Sequence, residues 1–185
     1  MIIAICGHKF SGKSTVARLL HNATGYEVVS FADKLKDVCC VLSGCTREDL
    51  EDYEFKENEL VPDYLRPYCG NAEKPTFRAF LQHFGSEVMR GINDNIWIDC
   101  TLSNGSENCI VSDCRFPNEA KAIKPRGGIV IKVVRPDVKA SDSHQSETLI
   151  DEIDADYTLW NDTSLENLVL NVDSLVRLLR SNGKI

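Results

Sequence analysis

The sequence predicts an α/β fold: a mostly parallel five-stranded sheet flanked by helices, in three layers. Two observations carry this. Short apolar runs alternate with stretches of helical spacing from the first residues onward, and glycines or turn residues close most of these segments. No internal repeat, low-complexity tract or linker interrupts the series, so one domain is expected over 1–185.

Taken in order, Ile2–Cys6 is an apolar run ending at Gly7 and reads as a buried strand. Beyond a glycine-bounded loop, Val16, Leu19, Leu20 and Ala23 fall at helical spacing up to Gly25. Glu27–Ala32 reads as the second strand, followed by a helix over Asp33–Leu42 that closes at Gly44. The rhythm breaks over 45–75. Seven acidic residues between Arg47 and Glu59 stand against Arg47 and Lys56, and Pro62, Pro67, Gly70 and Pro75 follow. A solvated acidic insertion is the expectation there, because clustered carboxylates repel phosphates. From Thr76 to Ile92, Phe77, Phe80, Leu81, Phe84 and Val88 line one helical face, with Arg78, Gln82, Ser86 and Arg90 on the other side. Asn108–Asp113, Gly128–Val134 and Tyr157–Trp160 supply three more strands, and Ser164–Leu179 a closing amphipathic helix.

Composition narrows the function. The 185 residues are 43% hydrophobic and 26% charged, with a net charge of −7. That is ordinary globular composition rather than a disordered one, and an acidic chain lacks the basic footprint of nucleic-acid coating. No stretch has the ~18 apolar residues of a membrane span. The eight cysteines form no C-x-x-C pair and no zinc-finger spacing. No basic segment precedes Ile2-Ile3-Ala4-Ile5, so no secretory leader is expected. Reduced thiols and a cytoplasmic location are the expectation.

Gly7-His8-Lys9-Phe10-Ser11-Gly12-Lys13-Ser14 matches G-x-x-x-x-G-K-[ST] at every fixed position. Gly7 and Gly12 allow backbone angles that aim successive N–H groups at phosphate oxygens. The helix beginning near Lys13 adds its positive end. Lys13 is expected to reach the β- and γ-phosphates of ATP, Ser14 to ligate Mg²⁺, and Thr15 to contact the α-phosphate. A glycine-rich turn with a surface lysine is the alternative; the flanking strand and helix argue against it.

Nucleotide binding leaves the reaction open. No N-K-x-D guanine-reading motif exists; Asn161-Asp162-Thr163-Ser164 lacks the lysine. The chain is short for a motor, so a small kinase remains. Asp113 ends an apolar strand, where a parallel sheet presents side chains to the crevice at its carboxyl edge. There it can hold Mg²⁺ or orient an acceptor, and Arg115 can bind a phosphate; a capping aspartate and a solvated arginine are the plain alternatives. If the acceptor is itself a phosphate, no general base is needed and cations must offset the repulsion of two polyanions. Arg78, Arg90, Arg115, Arg135 and Lys34 are candidates.

With these residues in place, the chain resembles the bacteriophage-type deoxynucleoside monophosphate kinases, within the P-loop nucleoside and nucleotide kinases. The resemblance rests on the loop, on Ser30-Phe31-Ala32-Asp33-Lys34-Leu35-Lys36, and on Arg78, Leu81-Gln82, Gly85, Glu87, Arg90 and Trp97 in that order. It continues through Ser112-Asp113-Cys114-Arg115-Phe116-Pro117-Asn118-Glu119-Ala120, Arg135-Pro136, His144, Ser146-Glu147 and Trp160-Asn161. It implies a three-layer P-loop kinase fold and transfer of the ATP γ-phosphate to a dNMP, giving dNDP and ADP. It also implies an acceptor pocket drawing on Asp33, Lys34, Arg78, Gln82, Arg90 and Arg115, with 135–147 as a lid-like segment carrying Arg135. His144 and Glu147 would read the acceptor base or sugar, or else form a helix N-terminal turn. Asn161 sits where such folds hold adenine. Lids of adenylate-type kinases are often arginine-dense, whereas 136–147 holds Lys139 and no arginine. Trp97, between Ile96 and Ile98, fits a core position better than a base-stacking one. The alternatives are a kinase for another small metabolite, such as dephospho-coenzyme A, in which Asp33 or Asp113 would be the base, and a nucleotide-dependent binding module. Partners are small molecules, with neither nucleic acid nor membrane; a homodimer is compatible.

Overall fold

The computed structural model describes residues 1–103, 107–138 and 145–185. Along the chain run β1 (Ile2–Cys6), α1 (Lys13–Thr24), β2 (Glu27–Val29), α2 (Asp33–Ser43), α3 (Arg47–Glu51) and α4 (Tyr53–Asn58). A 3₁₀ segment (Asp63–Cys69) precedes α5 (Phe77–Gln82), a π-helical stretch (His83–Met89), α6 (Arg90–Ile92) and α7 (Ile96–Leu102). Then come β3 (Cys109–Cys114), α8 (Pro117–Ile123), β4 (Ile129–Val134), α9 (Gln145–Thr148), β5 (Tyr157–Trp160) and α10 (Leu165–Ser181). Single 3₁₀ turns follow α8 and α9. Among the described residues no helix is long and apolar enough to cross a membrane.

The chain forms two compact units, one of residues 1–30 with 104–185, the other of 31–103. The first holds the whole sheet, in the order β2-β3-β1-β4-β5 with every neighbouring pair parallel. Ile3, Ile5, Ile110, Ile129, Ile131 and Val133 of the sheet pack with Val16, Ala17 and Leu20 of α1 and with Leu168, Val172, Leu175, Val176 and Leu179 of α10. α8 packs against β1 and β4, with Ala120 and Ile123 buried outside that cluster. The sheet is thus flanked by helices, and the unalternated apolar runs are explained by burial of both faces. β2 is shorter than the expected Glu27–Ala32: it lies at the sheet edge with Val28 40% exposed, and Ser30 turns its hydroxyl onto Asp113.

The second unit departs further from expectation. The stretch 45–75 folds instead of remaining a solvated excursion. Leu50, Val61, Leu65 and Cys69 are buried with Cys39, Phe77 and Phe80 in a core of their own. The acidic residues occupy the outer faces and caps: Thr46 and Asp49 form a reciprocal capping box on α3, and the Asp52 carboxylate accepts from Phe55 N–H to begin α4. The expected helix over 76–92 is continuous but widens to π geometry in its middle. Gly85 lies in that stretch, its α-carbon so close to Leu35 that a Cβ would meet Leu35 Cδ2 at 2.4 Å, and its carbonyl accepts from Trp97 Nε1–H at 2.9 Å. Trp97 is buried and satisfied within this unit, as a core residue is.

Candidate active site

The loop between β1 and α1 takes the conformation its glycines allow. Gly7 has φ 143° and Gly12 φ 105°. A Cβ on Gly7 would lie 2.4 Å from the Val133 carbonyl oxygen, and one on Gly12 2.6 Å from Asn161 Nδ2. Gly7 therefore excludes other residues twice over, by dihedral and by a backbone oxygen; at Gly12 the dihedral decides, since the Asn161 amide is a side-chain end that can give way. Phe10 is the one non-glycine residue with positive φ (66°) among the described residues; its ring is exposed, with Lys9 Nζ 5.4 Å from the ring centre. Ser11 N–H donates to the His8 carbonyl, closing the turn. Lys13 and Ser14 open α1, and among the described residues no side chain caps its N-terminus, so its first N–H groups belong to the loop.

Lys13 Nζ donates to the carbonyls of Gly7 and His8, each at 2.7 Å. Its ammonium is held down to about 8 from 10.5, chiefly by burial and then by the nearby Arg115 cation, with Glu147 and Asp113 opposing. A cation so desolvated has much to gain from a phosphate.

β3 brings up the second element. β1 and β3 pair as Ile3↔Ile110 and Ala4↔Val111 but then as Cys6↔Cys114, so β3 carries one extra residue there. Such a bulge re-aims side chains. It falls at Ser112–Asp113, and the Asp113 carboxylate accepts from Ser30 Oγ at 2.6 Å. Arg115 follows. The Glu119 carboxylate accepts from Arg115 N–H at 2.7 Å and from Phe116 N–H at 3.1 Å, fixing the turn into α8.

The third element is α9. Glu147 is fully buried; its Oε1 accepts from Arg115 Nη1 at 2.6 Å and its Oε2 from Lys9 N–H at 3.1 Å. His8 lies beside it, Nδ1 3.9 Å from Glu147 Oε2 and Nε2 3.3 Å from Asp151 Oδ2. Asp151 is paired with Lys132 at 2.9 Å, which holds its carboxyl below the usual range. On the other side of the loop, Asn161 Nδ2 donates to the Ser11 carbonyl at 2.9 Å and Asn161 N–H to the Val134 carbonyl at 2.8 Å.

The structure thus gathers Gly7 to Thr15, Asp113, Arg115, Glu147 and Asn161 within the sheet unit. Arg135, beyond β4, is exposed, and His144 lies outside the described residues, as does part of the lid-like stretch 135–147. The remaining predicted acceptor residues belong to the second unit. There Asp33 pairs with Arg47 at 2.9 Å, Lys34 with Asp37 at 3.2 Å and Arg90 with Asp94 at 2.6 Å. Arg78 Nε lies 3.9 Å from Glu57, and Gln82 ends α5. Sequence reasoning missed Ser30, Glu119, Asp151 and Arg47. Ser30 and Glu119 stood in the quoted motifs without an assigned role, while Arg47, on Asp33, Asp37 and Glu51 at once, gave no sign of its partners.

A parallel sheet flanked by helices, with a phosphate loop after its central strand, is the architecture of the P-loop kinases. Solved kinases share this architecture: dephospho-CoA kinase from Campylobacter jejuni (TM-score 0.54, 14% identity, 100% of this chain and 98% of that one) and shikimate kinase from Aquifex aeolicus (0.53, 14%, 98% of each). At that identity the likeness is one of fold. The deoxynucleotide monophosphate kinase family model matches residues 48–172. A mimivirus protein (Acanthamoeba polyphaga mimivirus) assigned that name is 32% identical over 95% of this chain and 96% of its own length. The deoxynucleotide monophosphate kinase of Enterobacteria phage T4 is 35% identical over 85% of this chain and 70% of its own. The chain belongs to the deoxynucleotide monophosphate kinase family.

Proposed function

We propose that the chain transfers the γ-phosphate of ATP to a deoxynucleoside monophosphate, yielding dNDP and ADP. The observation that carries this reading is the loop geometry around Lys13 in a chain of this family. Gly7 to Thr15 cradle the triphosphate, and Lys13 exchanges its two carbonyl partners for β- and γ-phosphate oxygens. Asn161 flanks the donor from its place on the Ser11 carbonyl.

The acceptor's phosphate oxygen attacks the γ-phosphorus while the bond to the β,γ-bridging oxygen breaks. The attacking oxygen is already ionised, so no proton has to be removed and charge is conserved. What the protein must supply is position and positive charge. Arg115 supplies it beside the loop; Asp33, Lys34, Arg78, Gln82, Arg90 and Arg135 supply acceptor contacts in this reading, and His144 those to base or sugar, whereas both Glu147 oxygens are taken up by Arg115 and Lys9 N–H. Mg²⁺ fits the donor set: a hydroxyl at the start of α1 (Ser14) and a carboxylate at the bulged end of β3 (Asp113) are hard oxygen ligands of the few-ligand kind that a nucleotide-borne magnesium takes. It would neutralise charge on the phosphates. The two units act together as one kinase domain, with 45–75 as its acidic insertion.

Coupled ADP release with ATP, Mg²⁺ and a panel of dNMPs tests the reading. Release that depends on a dNMP supports it; release indifferent to acceptor, or dependent only on dephospho-coenzyme A, overturns it.

A further inference from the structure

Glu147 stands out as a charged side chain with no exposure in the sheet unit, 0% accessible. It bridges two elements distant in sequence: the phosphate loop through Lys9 N–H, and the β3–α8 turn through Arg115. Burying a carboxylate is costly unless it is paired and fully hydrogen-bonded, and here each oxygen has a partner. The bond to Arg115 uses one guanidinium nitrogen, Nη1. Among the described residues the other guanidinium nitrogens carry no intramolecular hydrogen bond, so one edge of the fork is available to a phosphate. Arg115 also stands near enough to Lys13 to depress it, so two cations converge and a fixed anion must offset their repulsion.

We propose that Glu147 is a positioning residue for phosphoryl transfer: it holds Arg115 by Nη1, with the remaining edge of the guanidinium directed at the transferred phosphoryl group, and ties that arginine to the phosphate loop through Lys9 N–H. This rests on the reading of the chain as a dNMP kinase. It differs from a role for Glu147 in reading the acceptor's base or sugar, because both carboxylate oxygens are already engaged within the protein. Glutamine cannot replace it. One end of an amide is NH₂, so either Lys9 N–H or Arg115 would face a donor and lose its bond.

The test is a double-mutant cycle on Glu147 and Arg115, with dNMP-dependent ADP release and calorimetric Mg·ATP binding as readouts. E147Q is expected to lower kcat about 10- to 100-fold while the Kd for Mg·ATP stays within about threefold. On the R115A background, E147Q should change kcat less than about twofold, since the residue it positions is gone. E147D, which keeps the charge but is one methylene too short to span both partners, should lose about tenfold in kcat. Wild-type kcat in E147Q overturns the proposal. So do additive losses in the double variant, or a changed order of preference among dNMPs with kcat retained. If E147Q and E147D both fail to fold, as judged by circular dichroism, the contact is purely structural and the proposal falls. Failure of the kinase reading is separate: the wild-type chain would then release no dNMP-dependent ADP.

Discussion

The two units solve the handling of charge in opposite ways. In the sheet unit the groups proposed to meet phosphate are main-chain amides set by glycine dihedrals, with Lys13 desolvated among them. In the 31–103 unit every predicted acceptor cation belongs to a side chain lying near a carboxylate: Lys34 by Asp37, Arg78 by Glu57, Arg90 by Asp94. Backbone geometry is rigid and specific for the polyphosphate shared by all donors. On the proposed reading these cations would exchange a neighbouring carboxylate for an acceptor phosphate. On that reading the first unit holds the donor and the second supplies contacts to the acceptor.

This contrast breaks most sharply at Lys13. Lys13→Ala should reduce kcat by roughly 10³-fold or more, the scale of losing a charge fixed on the transferring phosphates. Because burial holds the ammonium near 8, the folded state binds its proton less tightly than the unfolded chain does, and at neutral pH the charge costs stability. The melting temperature of the variant should therefore stay level or rise; a marked fall would make Lys13 a structural residue.

Gly12→Ala comes next. It places a Cβ 2.6 Å from Asn161 Nδ2 at a φ of 105° and should cost about 1–3 kcal/mol in thermal unfolding, along with at least tenfold in Mg·ATP affinity by calorimetry. Pairing it with Asn161→Ala restores space but not dihedral freedom, so only part of the loss should return. Full recovery would show that crowding alone fixes the loop.

Arg78→Ala probes the other unit. The KM for the dNMP should rise about tenfold while that for ATP stays within about twofold. Equal effects on both would erase the division of labour.

The smallest effects should come from thiol labelling. Burial pushes Cys6 up to about 11 and Cys39 to about 12, so at pH 8 both remain protonated as well as buried, whereas Cys100 is exposed. Mass spectrometry after brief iodoacetamide treatment should find Cys100 modified first and Cys6 and Cys39 last, with kinase activity retained. Rapid modification of Cys39 would show that the second unit opens on its own.

What was legible in the sequence follows the same contrast. The phosphate loop could be read because backbone angles closed to L-residues must be written as glycine, and Gly7 and Gly12 are spelled out. The three inner strands β1, β3 and β4 could be read because burial on both faces removes alternation, whereas β2 and β5 are partly exposed edge strands. The core of the second unit was hidden: Leu50, Val61 and Leu65 are single apolar residues among carboxylates and prolines, and their partners in α5 lie far along the chain. The bulge in β3 leaves no trace in composition, since an extra residue in an apolar strand resembles any other. Glu147, in a capping-rich stretch, read as a contact to the acceptor base or sugar or as part of a helix N-terminal turn, not as a buried partner of Arg115. Its burial depends on Arg115 and Lys9, which no local pattern connects to it.

The close approach of Asn161 to Gly12 carries one more lesson. The tip of the last strand is wedged against the α-carbon of a loop formed some 150 residues earlier, and it also clasps that loop's Ser11 carbonyl. Substitutions at the two places cannot then drift independently. A bulkier residue at 161 would press on the cradle from outside, and a smaller one would leave the Ser11 carbonyl in search of a donor. The end of β5 acts as a wall against which the nucleotide cradle is cast, so natural variation there should be as narrow as in the loop.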